Sequence, residues 1–92
     1  MSEAPRFVVY TTDACPYCVM AKSLLDARGL SYREIDVTGD AERRVWLVRA
    51  TGRRTVPQIF LDERPLGGSD DLHALDRSGE LARLVAAGPG TP

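Results

Sequence analysis

The stretch FVVYTTDACPYC, residues 7–18, is the most informative part of this sequence. Residues 6–11 are mostly β-branched or aromatic, which predicts a buried strand. A short loop follows, and Pro16 is well suited to the first turn of a helix that begins near Cys15. The sequence therefore predicts a pair of cysteines, spaced C-x-x-C, at the start of a helix that directly follows a strand.

Cys15 and Cys18 are the only cysteines among the 92 residues. They would close too small a loop to stabilise a fold appreciably, so reactivity or metal binding explains them better. The N-terminus of a helix presents unpaired N–H groups and a partial positive charge, which lower the pKa of a thiol from its free value of about 8.5. Because the thiolate attacks disulfides, we expect Cys15 to be the nucleophile. Cys18, about one turn further along, is expected to be more buried and to resolve the mixed disulfide.

Zinc binding and inert packing account less well for the cysteine pair. A structural zinc site needs about four ligands, and His73, the only histidine, lies far along the chain in a predicted helix. Two inert buried cysteines are the second alternative, but their position at a helix start argues against it. The sequence therefore predicts no metal site.

Hydrophobic spacing predicts the other elements and their order. In the first helix the recurring positions are Val19, Met20, Ser23, Leu24 and Ala27. Further strands are expected at residues 31–36, 58–61 and 65–66, and further helices at residues 41–50 and 80–87. Another helix is expected between these last elements, opened by residues 67–69 and broken by residues 78–79. The first half is a βαβ unit, whose two strands should be parallel, and the second half is a hairpin closed by a helix. The expected fold is α/β and thioredoxin-like, with a four-stranded mixed sheet flanked by helices.

Composition and charge narrow the class of protein. The chain is 43% hydrophobic and 27% charged, with a formal net charge of −1, which is ordinary for a soluble globular domain and gives no basic excess for binding nucleic acid. No apolar run approaches the roughly 20 residues of a membrane span, and the N-terminus does not resemble a secretory signal. We expect residues 1–92 to form one domain with loose ends at residues 1–5 and 88–92, acting as a monomer in the cytoplasm.

Three motifs together resemble one known family. They are CPYC at residues 15–18, TVP at residues 55–57 and GGSDD at residues 67–71. In this order and at about this spacing they resemble the small bacterial dithiol glutaredoxins, and the resemblance extends over residues 7–85. It implies a glutathione-dependent thiol–disulfide oxidoreductase. Glutathione would be the co-substrate, and the partners would be disulfide-containing or glutathionylated proteins, such as a ribonucleotide reductase.

The resemblance also implies a glutathione site. Pro57 would be a cis-proline, exposing the Val56 backbone to pair with the cysteinyl part of glutathione. Free N–H groups of Ser69 and Asp70, at a helix start, suit the γ-glutamyl carboxylate. The implied binding residues are Tyr17, Arg44, Thr55, Val56, Pro57, Gly68, Ser69, Asp70 and Asp71.

Charged side chains are expected at both ends of the bound glutathione. The carboxylate of Asp70 or Asp71 would take its ammonium group. Arg44, on the second helix, would bind its glycine carboxylate through two N–H groups. The neighbouring Trp46 is the only tryptophan, and it either covers the edge of the core or lines the glutathione groove.

One position departs from the family pattern. Many members carry a lysine three residues before the nucleophile, whereas this chain has Thr12 there, beside the acidic Asp13. The change removes one cation from both the thiolate and the glycine carboxylate. Arg53 or Arg54, in the loop before Pro57, is a candidate to replace it.

Two further functions share parts of this pattern. A redoxin reduced by thioredoxin reductase would have the same fold without a glutathione groove, and Thr12 weakly favours it. A carrier of a [2Fe–2S] cluster would hold the cluster between two subunits, through the first cysteine and bound glutathione. Pro16 disfavours the carrier because it stiffens the loop between the cysteines.

Overall fold

The computed structural model describes residues 5–88, so the predictions for the chain ends at residues 1–4 and 89–92 lie outside the described residues. Strands and helices occur in the predicted order. They are β1 (Phe7–Thr11), α1 (Pro16–Ala27), β2 (Tyr32–Asp36), α2 (Ala41–Thr51), β3 (Gln58–Leu61), β4 (Arg64–Gly67), α3 (Ser69–Ser78) and α4 (Glu80–Ala86). None of the helices within residues 5–88 is long and apolar enough to cross a membrane.

The four strands form one mixed sheet in the order β2-β1-β3-β4. β1 runs parallel to β2, as the βαβ prediction requires, and antiparallel to β3. β3 and β4 form an antiparallel hairpin, and β4 lies at the edge, where Pro65 is tolerated. The fold is therefore thioredoxin-like, as predicted.

Helices pack on both faces of this sheet. One face contributes Phe7, Val9, Ile59 and Leu61 to a core shared with α1, α3 and α4. On the other face Tyr10 and Phe60 pack against residues that include Leu47 of α2. Because α1 follows the end of the central strand β1, its first turn lies at one end of the sheet, close to the loop that precedes β3.

The predicted core face of α1 is wrong at four of its five positions, because Val19, Met20, Ser23 and Ala27 are exposed and only Leu24 is partly buried. Val19 is 58% exposed and Met20 is 46% exposed. The buried residues are instead Cys18, Ala21 and Leu25, which share one helical face. The sequence analysis treats Cys18 only as a redox residue, whereas a buried cysteine also packs as a small apolar side chain. Because Cys18 is left out of the apolar pattern, the predicted buried face lies on the wrong side of the helix.

Candidate active site

Cys15 and Cys18 form a disulfide at the start of α1. Cys15 is the N-cap residue, and its Sγ accepts a hydrogen bond from the backbone N–H of Cys18 at 3.2 Å. Cys18 is 2% exposed, whereas Cys15 is half-buried. Cys15 is therefore the more accessible of the two cysteines, and Cys18 lies in the core, as the sequence predicted.

The loop before β3 faces this disulfide. The Val56–Pro57 peptide bond is cis, as predicted. The carbonyl oxygen of Val56 lies 3.8 Å from the Sγ of Cys15. The buried side chain of Gln58 supports this loop, because its Nε2 donates a hydrogen bond to the carbonyl oxygen of Thr55 at 2.9 Å. Sequence reasoning assigned Gln58 no role, because its position as the first residue of a strand carries no chemical signal.

The start of α3 forms the opposite wall. Gly68 is the N-cap residue, and its N–H donates to Oδ2 of Asp71 at 2.9 Å. The same oxygen accepts a hydrogen bond from Nη1 of Arg53 at 2.7 Å. These two donors, first the Gly68 N–H and then the Arg53 guanidinium, hold the pKa of Asp71 below its ordinary value.

The two aspartates at this helix start therefore differ. Asp71 is engaged by its own N-cap and by Arg53. The side chain of Asp70 is exposed and makes no hydrogen bond or ion pair with any of the residues 5–88. Of the two candidates for an ammonium group, Asp70 is the available one.

At both glycines before α3, an added side chain would clash with or crowd neighbouring atoms. Gly67 has φ +111°, and a Cβ there would strike the carboxylate of Asp71. A Cβ on Gly68 would lie 3.3 Å from the carbonyl oxygen of Pro57 and 3.7 Å from Nη1 of Arg53. The glycines therefore let the α3 start approach the cis-proline loop closely.

A cleft of about 350 Å³ lies between these walls; we call it the Pro57 cleft. Its lining residues are Tyr17, Arg53, Thr55, Val56, Pro57, Gly68, Ser69, Asp70 and Asp71. Cys15 borders it through its contact with Val56. All the predicted glutathione-binding residues except Arg44 line this cleft, and Arg53 joins them.

Arg44 lines an adjoining cavity of about 220 Å³, which we call the arginine cavity. Its lining residues are Arg44, Val45, Leu47, Val48, Arg53, Arg54, Thr55 and Val56. The two cavities share three residues, so they are neighbouring parts of one surface. Trp46 lines neither, because its ring packs on Tyr10 and Phe60 with centroid distances of 5.6 and 5.9 Å.

No group of three or more His, Cys, Asp or Glu side chains suited to holding a metal occurs within residues 5–88. His73 lies on α3, where its Nδ1 is 2.8 Å from the carbonyl oxygen of Ser69.

A C-x-x-C disulfide at a helix N-terminus, opposite a cis-proline in a thioredoxin-like fold, defines a thiol–disulfide redox protein. The glutaredoxin family model matches residues 7–66. The chain is 49% identical to a glutaredoxin of Pseudomonas aeruginosa, over 90% of this chain and 99% of that protein. It is 47% identical to glutaredoxin 3 of Escherichia coli, over 84% and 93% of the two chains. The chain belongs to the glutaredoxin family.

Solved structures agree with this assignment. The crystal structure of a buckwheat glutaredoxin–glutathione complex superposes with a TM-score of 0.82 at 31% identity. The match covers 95% of this chain and 83% of that chain.

Proposed function

We propose that Cys15 is the nucleophile, and Cys18 the resolving thiol, of a glutathione-dependent thiol–disulfide oxidoreductase, the activity that the glutaredoxin family defines. The observation that carries the assignment is the difference between the two sulfurs. Cys15 lies half-buried at the N-terminus of α1, 3.8 Å from the Val56 carbonyl, whereas Cys18 is 2% exposed. Only the first can meet a substrate disulfide without unfolding of the helix.

The reaction follows from that placement. The Cys15 thiolate attacks the glutathione sulfur of a glutathionylated protein, so a Cys15–glutathione disulfide forms and the protein leaves as a thiolate that takes up a proton. A second glutathione thiolate then attacks the glutathione sulfur of that disulfide and releases glutathione disulfide and reduced Cys15. The helix N-terminus favours Cys15 as both attacking thiolate and leaving group.

The Pro57 cleft is the proposed glutathione site. The Val56 backbone beside Cys15 would pair with the cysteinyl unit. The N–H groups of Ser69 and Asp70 at the start of α3 suit the γ-glutamyl carboxylate, and the unengaged Asp70 carboxylate suits its ammonium group. Arg44 in the arginine cavity would take the glycine carboxylate. The buckwheat complex supports this proposal because that protein binds glutathione in a closely similar fold.

The second proposed route uses both cysteines. Cys15 attacks a protein disulfide, and Cys18 then attacks Cys15 of the mixed disulfide, so the substrate is released reduced and the observed Cys15–Cys18 disulfide forms. Ribonucleotide reductase is a candidate substrate of this route. We also propose that the protein acts as a monomer in the cytoplasm. Glutaredoxin potentials of about −200 to −230 mV allow a glutathione-rich cytosol to reduce the pair again.

The test is glutathione-dependent reduction of a small mixed disulfide, coupled to glutathione reductase. Wild type and Cys18→Ser should turn over, and Cys15→Ser should be inactive. Turnover by Cys15→Ser would refute the assigned nucleophile. If wild type responds only to thioredoxin reductase, the glutathione site is wrong and the alternative redoxin function is correct.

A further inference from the structure

Arginines are concentrated on α2 and in the loop that follows it. The chain has a formal net charge of −1, yet five arginines fall within residues 43–54: Arg43, Arg44, Arg49, Arg53 and Arg54. Arg43 pairs with Asp40, and Arg53 pairs with Asp71. Within residues 5–88, Arg44 and Arg54 form no ion pair, and both line the arginine cavity. The cavity therefore carries positive charge that nothing in the described structure neutralises.

Half of the residues that line this cavity are apolar. Val45, which is 52% exposed, and Val48 contribute to its lining. Val56 belongs to both cavities, and its carbonyl lies 3.8 Å from the Cys15 sulfur. Only Val56 thus separates this cationic and partly apolar pocket from the Cys15 sulfur. Such a pocket suits a short side chain that ends in a carboxylate, because the arginines attract the carboxylate and the valines accommodate its methylene groups.

The two cavities that share Val56 differ in the sign of the charged side chains that form no ion pair within residues 5–88. The exposed Asp70, at the start of α3, lines the Pro57 cleft. The arginine cavity carries Arg44 and Arg54 on the side of α2. In the proposed glutathione site the γ-glutamyl unit lies near Asp70 and the glycine unit near Arg44. A polypeptide bound in the same direction therefore runs from Asp70 towards the arginines.

We propose that the arginine cavity selects protein disulfides with an aspartate or glutamate one or two positions after the reactive cysteine. The inference rests on the proposed function, because it takes the chain direction from the glutathione site. Glutathione ends in a carboxylate one residue after its cysteine, whereas a polypeptide has an uncharged peptide bond there. An acidic side chain at that place restores the negative charge that Arg44 and Arg54 attract.

The test measures how fast Cys15 of the Cys18→Ser protein attacks single-cysteine hexapeptides, each joined through a disulfide to thionitrobenzoate. Attack on the peptide sulfur forms the Cys15–peptide disulfide and releases coloured thionitrobenzoate. One peptide carries two aspartates directly after cysteine, a second carries them directly before it, and a third carries two lysines after it. The first two have equal net charge, so general electrostatic attraction affects their rates equally. Each rate is also divided by the rate at which a small free thiol attacks the same peptide disulfide, which corrects for differences in intrinsic reactivity.

The peptide with aspartates after cysteine should react at least fivefold faster than the other two, and added salt should reduce its advantage. The double variant Arg44→Gln/Arg54→Gln should remove most of the preference. Arg33→Gln should keep it, because Arg33 is exposed on β2, at the far edge of the sheet. Equal rates for the two acidic peptides, or an unchanged preference in the Arg44→Gln/Arg54→Gln variant, would overturn the inference.

The disulfide of glutathione with thionitrobenzoate separates this inference from the function on which it rests. A fourth hexapeptide, with alanines in place of the charged residues, serves as the uncharged reference. If the glutathione compound reacts much faster than this uncharged peptide while the acidic peptides react equally, the glutathione site stands and the acidic preference is refuted. If glutathione has no advantage over the uncharged peptide, the glutathione site is refuted, and the chain direction inferred from it is refuted as well.

Discussion

Arg53 and Asp71 form an ion pair across the Pro57 cleft, with 2.7 Å between Nη1 and Oδ2. The pair joins the loop that carries the cis-proline to the first turn of α3. Both side chains are partly exposed, at 48% and 41%, and an exposed pair of this kind contributes at most about 1 kcal/mol to stability. Its effect should therefore appear in the geometry of the binding site more than in the stability of the fold.

Replacing Arg53 with Gln should raise the KM for a glutathionylated substrate severalfold and leave kcat nearly unchanged. The substitution releases the loop that presents Val56, but it leaves both cysteines and the start of α1 intact. Asp71→Asn should have a similar effect, and the double variant should be little worse than either single one, because both remove the same contact. Steady-state kinetics with Arg33→Gln as the control checks this. Effects that multiply in the double variant would show that the two residues act independently.

The charge of Asp71 should stabilise the fold in a pH-dependent way. Its native pKa is lowered, first by the Gly68 N–H and then by Arg53, so the fold favours the carboxylate over the acid. The contribution is complete above the unfolded pKa, near pH 4, and is lost as the pH falls through the native pKa. Urea unfolding of wild type and Asp71→Asn should therefore differ by a constant amount from pH 7 to about pH 5, and the difference should shrink below pH 4. A difference that persists in strong acid would contradict an electrostatic origin.

Gly67→Ala should destabilise the protein more than Gly52→Ala. Both glycines have positive φ, of 111° and 75°, so each substitution costs about 1–3 kcal/mol of backbone strain. A Cβ on Gly52 would meet no atom within 4 Å, whereas a Cβ on Gly67 would strike Asp71. Gly67→Ala should therefore also raise the KM for the glutathionylated substrate, because Asp71 must move away from Arg53. Urea unfolding and steady-state kinetics test the two effects, and an unchanged KM would mean that Asp71 tolerates the displacement.

Local sequence signals predicted most of this structure. The strand before Cys15, the proline after it and the glycine-rich start of α3 each determine backbone geometry within a few residues. The cis form of Pro57 was predicted only through the resemblance to a family, since a proline in a sequence does not reveal its isomer.

Long-range pairings were not predictable in the same way. Arg53 and Asp71 are 18 positions apart, and their pairing depends on how α3 docks beside the loop. The sequence therefore left both aspartates as candidates for an ammonium group, although only Asp70 is unengaged. The buried face of α1 was missed for a related reason, because Val19 and Met20 are apolar but lie on an exposed side of the helix.

Trp46 should matter for stability and not for glutathione. Its ring packs on Tyr10 and Phe60 at 5.6 and 5.9 Å, and aromatic pairs of this kind contribute about 0.5–1.5 kcal/mol each. Trp46→Ala should therefore lower the free energy of unfolding by about 1–3 kcal/mol, while Trp46→Phe should retain part of it. The KM for a glutathionylated substrate should stay the same in both variants, because Trp46 lines neither the Pro57 cleft nor the arginine cavity. A raised KM in a variant that remains fully folded under assay conditions would place Trp46 in the glutathione groove.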